Sequence, residues 1–383
     1  MRLLPIAYAA RNLGRSPGRL AQLVAGSALV VLLVLAASAF ARGMGRTLTA
    51  SGDATNAILL GAGAEGSIER SALPAGTAGI VAAGLPGLRT RLDEPAVSAQ
   101  IHHEGLVTFA DGQRQAMLRG IDHHAFAVHR QARLVEGHLP RADEVLAGRL
   151  AHHRLGVPAD RLAVGSTLVF EGRTWTVSGR FAAPGTILES ELWVDLGELM
   201  TATRRDTVSC VVVGLGEATF ADIETFVLQR LDLELAAVAE DAYYGDLSRF
   251  FRPLQAMAWL TAALIAAGAA FGGFNTLYAA FAARIRELAT LQAIGFSRGA
   301  ILVSLLIEAG MTGIAGTVFA LVAALVWLDG WAVAFSSGIF TLSMDPTVLG
   351  HGLLAGLVVS VLGTLPPAWR CLSPPLPAAL RAA

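Results

Sequence analysis

Four long stretches without a charged side chain dominate the pattern of hydrophobic and polar positions along the chain. A helix that rises about 1.5 Å per residue needs roughly 20 apolar residues to cross a hydrocarbon layer of about 30 Å. Each charge-free stretch is long enough for such a crossing. The pattern therefore predicts four membrane-spanning helices, at residues 20–41, 254–283, 299–328 and 347–369.

The segment between the first two predicted spans, residues 42–253, has the pattern of a folded, water-soluble domain. Its strand candidates are Val97–His102, Gly105–Phe109, Ser166–Phe170, Thr174–Val177 and Val208–Val213. Turn residues at Asp111–Gly112 and Glu171–Gly172 predict hairpins, and apolar spacing from Phe220 to Leu231 predicts a helix. The sequence thus predicts an α+β membrane protein whose large insert between helices 1 and 2 forms one or two lobes.

Composition agrees with a membrane protein and excludes some chemistry. Hydrophobic residues make up 54% of the chain and charged residues 15%, against roughly 25% charged in soluble domains. All 29 basic residues are Arg, so the chain offers no lysine for a P-loop or a Schiff base. Cys210 and Cys371 are isolated, which argues against a disulfide framework or a cysteine zinc motif. With a net charge of -1, we expect no binding to nucleic acid.

The arginines predict the orientation. Residues 1–19, 284–298 and 370–383 carry nine Arg and one acid, and the positive-inside rule places them in the cytoplasm. The nine are Arg2, Arg11, Arg15, Arg19, Arg284, Arg286, Arg298, Arg370 and Arg381. Both termini are then cytoplasmic, residues 1–19 form an amphipathic surface segment, and the insert and a short loop at 329–346 lie outside. The alternative for the first span is a signal peptide cleaved near Ala37-Ser38-Ala39.

Two glycine motifs are better explained by turns than by catalysis. Gly61, Gly63 and Gly66 fit the dinucleotide fingerprint, but the residues that follow do not predict the long helix that it needs. Gly295-Phe296-Ser297-Arg298-Gly299 fits a nucleophile elbow, but a helical pattern precedes it where an elbow needs a strand. We predict no catalytic residue and no directly bound cofactor.

Eight of the nine histidines fall between His102 and His153, which raises the question of a metal site. They include the adjacent pairs His102-His103, His123-His124 and His152-His153. Adjacent residues of a strand point to opposite faces, so at most one of each such pair would join a site. We therefore predict no metal site, and keep a histidine-based metal-binding protein as the least favoured alternative.

The loop after the second span carries the clearest functional signal. Ile285, Leu288, Leu291 and Ile294 recur at every third position, which predicts a short amphipathic helix that Gly295 ends. Periodicity alone leaves two interpretations open: a connector that rests on the membrane, and a helix that docks on a partner.

The third span carries small residues and one acid. Gly310, Gly313 and Gly316 allow close backbone approach, either within one subunit or between two. Glu308 lies near the cytoplasmic end of this span, where an unpaired acid is costly. We expect it to pair with an Arg or a helix N-terminus.

The segments 275–279, 284–296 and 301–308 resemble the conserved part of FtsX/MacB-type ABC transporter permeases. So do Arg11-Asn12-Leu13, the ending 366–370 and 377–381, and, loosely, Gly165-Ser166-Thr167 and 175–179 of the insert. The resemblance implies four spans with a large periplasmic domain in the bacterial inner membrane. It also implies a coupling helix that contains Arg284, Arg286, Glu287, Leu288, Leu291, Ala293, Gly295 and Phe296.

In that family the coupling helix docks on a separate cytoplasmic ATPase, which uses ATP and magnesium. The resemblance further implies a homodimer or a pair with a paralogue, contact with lipids, and a periplasmic adaptor, substrate-binding protein or hydrolase. ATP-driven closure would move the periplasmic domains and so export or extract a lipid, lipoprotein, peptide or small molecule. The alternative is an FtsX-like scaffold that activates a periplasmic cell-wall hydrolase.

Overall fold

Two compact units make up the chain in a computed structural model, which describes residues 6–13 and 17–380. The first, the membrane unit, comprises the described residues among 6–42, together with 252–331 and 342–380. The second, the insert unit, comprises residues 43–251 and 332–341. The predictions for Arg2, Arg15 and Arg381 lie outside the described residues.

The helices of the described residues, in chain order, include four that are much longer than the rest. They are α1 (Ile6–Leu13), α2 (Pro17–Ser51), α3 (Thr77–Gly84), α4 (Ala125–Val128), α5 (Ala151–Leu155), α6 (Leu196–Thr203), α7 (Phe220–Gln229), α8 (Glu240–Phe250), α9 (Arg252–Ala282), α10 (Ile285–Ala293), α11 (Arg298–Trp327), α12 (Pro346–Leu372) and α13 (Leu376–Leu380).

The strands of the described residues follow the same order. They are β1 (Asn56–Gly61), β2 (Leu73–Pro74), β3 (Thr90–Arg91), β4 (Glu94–Pro95), β5 (Val97–Phe109), β6 (Gly112–Ile121), β7 (Arg133–Gly137), β8 (Glu144–Gly148), β9 (Thr167–Phe170), β10 (Arg173–Ala182), β11 (Leu192–Asp195), β12 (Thr207–Val208), β13 (Cys210–Gly214), β14 (Leu235–Ala239), β15 (Ala332–Phe335) and β16 (Gly338–Thr341).

Four helices of the described residues are long and apolar enough to cross a membrane. They are α2, the helix Glu240–Ala282 formed by α8 and α9, α11 and α12. The last two carry ordinary start signals: Ser297 accepts a hydrogen bond from the Ala300 amide, and Asp345 accepts from the amides of Thr347 and Val348. Four apolar helices with an α+β domain between the first and second confirm the predicted fold class.

One large sheet organises the insert unit within the described residues. Its strand order is β14-β1-β13-β5-β6-β11-β8-β10-β7, and β9 pairs with both β10 and β5. The predicted hairpins are present: β5 and β6 meet at Asp111–Gly112, and β9 and β10 meet at Glu171–Gly172. Val97–His102 and Gly105–Phe109 belong to one continuous strand rather than two.

The core of the insert unit combines aromatic packing with a buried ion pair. Trp175, Trp193 and Phe181 have no more than 1% of their surface exposed. Arg119 on β6 donates to both carboxylate oxygens of Glu191, at 2.6 and 2.7 Å, and both side chains are at least 96% buried. Two parallel hydrogen bonds in a dry environment hold β6 against the segment before β11.

The short loop predicted at 329–346 contains structure of its own. Residues 332–341 form the β15–β16 hairpin, which belongs to the insert unit. Gly338 packs against Ile187, and Arg154 donates to the Ser336 carbonyl at 3.1 Å. The two acids of the loop are both bonded, since Asp329 accepts from the Met344 amide and Asp345 pairs with Arg42 at 3.2 Å. This stretch is therefore part of a folded domain and not a plain connection.

Candidate functional site

The loop after α9 is a helix held between two well-defined turns. Gly295 has φ of +105°, a left-handed backbone conformation that glycine adopts without strain, and it ends α10. Ser297 then caps the start of α11. A helix, not a strand, precedes Gly295-Phe296-Ser297-Arg298-Gly299, so the geometry of a nucleophile elbow is absent from this described segment. The sequence motif is a helix end followed by a helix start.

The inner face of α10 packs on the ends of the membrane helices. Leu288 and Ala289 are only 2% and 1% exposed, and Ile285, Leu291 and Phe296 are half-buried. All of these except Ala289 contact an apolar cluster that contains Leu277, Ala280, Phe281, Ile301, Leu305, Ala368, Cys371 and Leu372. The short helix α13 also packs against α10. Any tilt of α10 must therefore displace α9, α11 or α12, because a close-packed interface deforms little.

The outer face of α10 differs from the face that the periodicity predicts. Arg286, Glu287, Thr290 and Ala293 are exposed, and Ile294 is 71% exposed. Ile294 shares the spacing of Ile285, Leu288 and Leu291 but lies beyond the last helical residue, where the chain turns away. A partner would meet this mixed charged and apolar surface, and it would not reach Leu288.

Arg284 links α10 to two other segments of the membrane unit. Its Nη1 lies 3.2 Å from the Glu308 carboxylate on α11, and its Nε donates to Glu287 at 3.3 Å. Asn12 on α1 donates to the same Glu308 carboxylate at 2.8 Å. Glu308 thus has the arginine partner that its position predicts. The family resemblance includes Asn12, but no sequence pattern predicts its bond to Glu308, because residues 296 positions apart meet only in the folded chain.

The glycines of α11 do not share one role. A Cβ on Gly313 would lie 1.7 Å from the Ser360 hydroxyl on α12, and one on Gly316 would lie 2.8 Å from the Val24 carbonyl oxygen on α2. These two glycines therefore permit packing within one subunit. A Cβ on Gly310 would meet no atom within 4 Å in the described part of the chain. Gly310 is thus available for contact outside the subunit.

The histidines occupy several distinct environments in the insert unit. His102 and His129 are buried, and burial lowers the pKa of each well below 6.5, so both are neutral in the folded domain. His152 and His153 lie on α5. His123 and His124 lie in the turn before α4 beside Glu94. Strand alternation therefore does not separate either of these last two pairs, since one lies on a helix and the other in a turn.

These features define a multi-pass membrane protein with a large α+β domain inserted after its first span and a packed helix between its second and third. Comparison of the sequence with protein families gives two matches that together cover most of the chain. Residues 22–226 match the MacB-like periplasmic core domain. Residues 259–376 match the FtsX-like permease C-terminal family. The chain belongs to the FtsX/MacB-type family of ABC transporter permeases.

Solved structures are similar to part of this chain at low sequence identity. The periplasmic region of MacB from Actinobacillus actinomycetemcomitans aligns at 13% identity and a TM-score of 0.37, over 49% of this chain and 89% of that one. The extracellular domain of the transporter YknZ from Gram-positive bacteria aligns at 14% identity and a TM-score of 0.34, over 44% and 87%. A permease domain from Porphyromonas gingivalis gives 11% and 0.33, over 48% and 85%. Among curated proteins, none matches the chain.

Proposed function

We propose that this chain is the non-catalytic permease subunit of an ABC transporter and converts ATP hydrolysis by a cytoplasmic ATPase subunit into movement of its insert unit. The family supplies the context, because its members work with such ATPases. The observation that carries the proposal is the two-sided packing of α10. Its inner face is fixed in an apolar cluster, and its outer face offers Arg286, Glu287, Ala293 and Ile294 to a partner.

The contacts of Arg284 support a path from that outer face into the membrane helices. A force on Glu287 would act on Arg284, to which it is hydrogen-bonded, and Arg284 is bonded to Glu308 on α11. These charge-assisted contacts are stronger than neutral hydrogen bonds, and Arg284 and Glu308 are both largely shielded from water. The lysine-free sequence agrees with an ATPase site supplied by a partner chain.

A second permease copy is part of the proposal. Only 6% of the residues in the apolar stretch of the helix Glu240–Ala282 are buried, against 44% in α2 and α11 and 22% in α12. Leu260, Leu264 and Phe271 on this helix are each at least 60% exposed. A helix with so few contacts in one subunit suits an interface with another copy or with lipid. We place the insert unit in the periplasm and α10 in the cytoplasm, and expect the exported or extracted substrate to be recognised outside.

The docking role of α10 can be tested by co-purification of the chain with its ATPase and by measurement of stimulated ATP hydrolysis. Ile294→Asp adds a charge to an exposed residue, so the fold should persist while complex formation falls at least tenfold. Leu231→Asp is the matched control, because Leu231 is 76% exposed but lies in the insert unit. Leu288→Asp is unsuitable, since a buried charge there would disrupt the fold itself. An Ile294→Asp protein with an intact complex and intact stimulation would exclude docking through this surface.

A further inference from the structure

His123 and His124 lie in a turn that is firmly attached to the sheet. Asp122 accepts hydrogen bonds from the Ser98 hydroxyl at 2.7 Å and from the Ala99 amide at 2.9 Å, both on β5. It also accepts from the His124 amide at 3.0 Å, which fixes the backbone of the pair. The two imidazole rings lie close together, with their centroids 3.8 Å apart and their planes tilted by 40°. Unlike neighbours on a strand, both side chains are on the same side.

Glu94 approaches this pair from a separate, equally constrained segment. It begins β4, which is joined to β3 by a two-residue turn with positive φ at Leu92 and Asp93. Arg91 on β3 donates to the Phe126 carbonyl of α4 at 2.7 Å, so this hairpin is held against the histidine turn. The Glu94 carboxylate oxygen Oε2 lies 3.0 Å from His124 Nε2 and 3.8 Å from His123 Nε2.

We propose that Glu94, His123 and His124 form a binding site for a divalent transition-metal ion of the zinc type. Zinc bonds to histidine nitrogen and carboxylate oxygen are about 2.0–2.2 Å long, so two ligand atoms of a tetrahedral site are about 3.4 Å apart. The two observed distances bracket that value, and the ligand atoms of all three residues lie within 4.8 Å of one another. Small side-chain rotations suffice to place them around one ion.

The surroundings define the chemistry of the site. Two imidazoles and one carboxylate favour zinc, copper or nickel over magnesium or calcium, which prefer oxygen ligands. Three protein ligands leave a fourth position, and all three residues line a cleft of about 830 Å³. Arg91, Arg130 and Arg133 line this cleft and favour water-derived hydroxide or another anionic donor there. A bound ion would cross-link the β3–β4 hairpin to the turn before α4. This site is independent of the proposed transport function.

The chain offers a matched control for this proposal. His152 and His153 on α5 are also adjacent, and their ring centroids lie 4.1 Å apart. Across residues 6–13 and 17–380, no third His, Cys or carboxylate joins that pair in a ligand cluster. If metal binding depends on the geometry of the three ligands and not on histidine content, the His123-His124 pair should contribute to it and the His152-His153 pair should not.

The test is isothermal titration of the full-length, chelator-treated protein in detergent, without a histidine tag, using zinc chloride. We expect one ion per chain, and at least tenfold weaker binding in Glu94→Gln, His123→Ala and His124→Ala. The double variant His152→Ala with His153→Ala should bind like the parent. None of these side chains is buried in the folded chain, and unchanged melting of the metal-free variants would show that their folds are intact.

Copper(II) provides a second readout that does not depend on affinity. Electron paramagnetic resonance of the copper complex should show coupling to two imidazole nitrogens, and to one in each single histidine variant. The proposal is overturned if zinc does not bind at roughly 100-micromolar concentration. It is equally overturned if binding survives removal of both His123 and His124, or is lost when only His152 and His153 are replaced.

Discussion

Glu240 provides a test of how burial of an ionisable side chain affects the stability of the insert unit. This residue begins α8 and is only 1% exposed. Its carboxylate accepts hydrogen bonds from the Asn56 side chain at 2.9 Å and from the Asp53 amide at 3.0 Å. Burial, the largest effect, raises its pKa from 4.5 to about 7 despite these hydrogen bonds. The substitution Glu240→Gln keeps the shape and the acceptor oxygen but cannot ionise.

The raised pKa of Glu240 determines how its contribution to the free energy of unfolding changes with pH. Below about pH 4.5 the carboxyl is protonated in both the folded and the unfolded chain, and its full contribution to stability is present. As the pH rises towards 7, the unfolded chain ionises first and this contribution is lost. Between about pH 5 and pH 8, linkage gives a loss of about 2–3 kcal/mol in the free energy of unfolding from this group. Glutamine, which does not titrate, should not show that loss.

Hydrogen exchange of the protein measures the difference in stability between parent and Glu240→Gln in the peptides around Glu240. Peptides that cover residues 53–61 and 240–250 report this difference. Between about pH 5 and about pH 8, the protection of the variant relative to the parent should increase by roughly 50- to 100-fold where exchange requires unfolding of the domain. Comparison at each pH cancels the opposite contribution of His102, whose depressed pKa reduces stability as the pH falls.

The control for this experiment is Glu224→Gln, which changes an exposed glutamate on α7. Its ratio of exchange rates to the parent should be the same at both pH values. The reasoning is refuted if the ratio for Glu240→Gln is also independent of pH. It is refuted as well if the protection of the variant relative to the parent decreases as the pH rises.

Two further substitutions test the packing. Gly313→Leu should disrupt the contact between α11 and α12 and lower the melting temperature in detergent, whereas Gly310→Leu should leave the monomer intact; equal losses would contradict the assigned faces. Arg119→Met should destabilise the insert unit by about 3–5 kcal/mol in denaturant titrations followed by tryptophan fluorescence, because it leaves the buried Glu191 carboxylate without its partner. Adding Glu191→Leu should recover most of that loss, and no recovery would argue against an unpaired charge as its cause.

The periodicity of apolar residues predicts the helix α10, but it does not predict which residues of that helix are exposed to a partner. The spacing of Ile285, Leu288, Leu291 and Ile294 predicts α10, but only tertiary packing separates the first three from the exposed Ile294. Burial of Leu288 depends on α11 and α12, which come from other parts of the sequence. The same limit applies to Glu308, whose need for a partner follows from its depth while the second donor, Asn12, does not.

The histidines of the insert unit also show the limit of prediction from local sequence. Their local sequence predicts no metal site, because it does not reveal that His123 and His124 share a turn. Glu94 lies about 30 positions earlier in the chain and reaches them only through the β3–β4 hairpin and its bond to α4. Strand alternation predicts β5, β9 and β10, but not the pairing of β11 with β6 and β8.

The sequence alone determines the four membrane helices, the inserted α+β domain and the family, because hydropathy and charge-free length are properties of local segments. Tertiary structure decides which residues of α10 face outward, which glycines pack within the subunit, and that residues 332–341 belong to the insert unit. Those outcomes depend on contacts between segments far apart in the chain. The free energy of such contacts comes from burial and hydrogen bonding that exist only after the chain has folded.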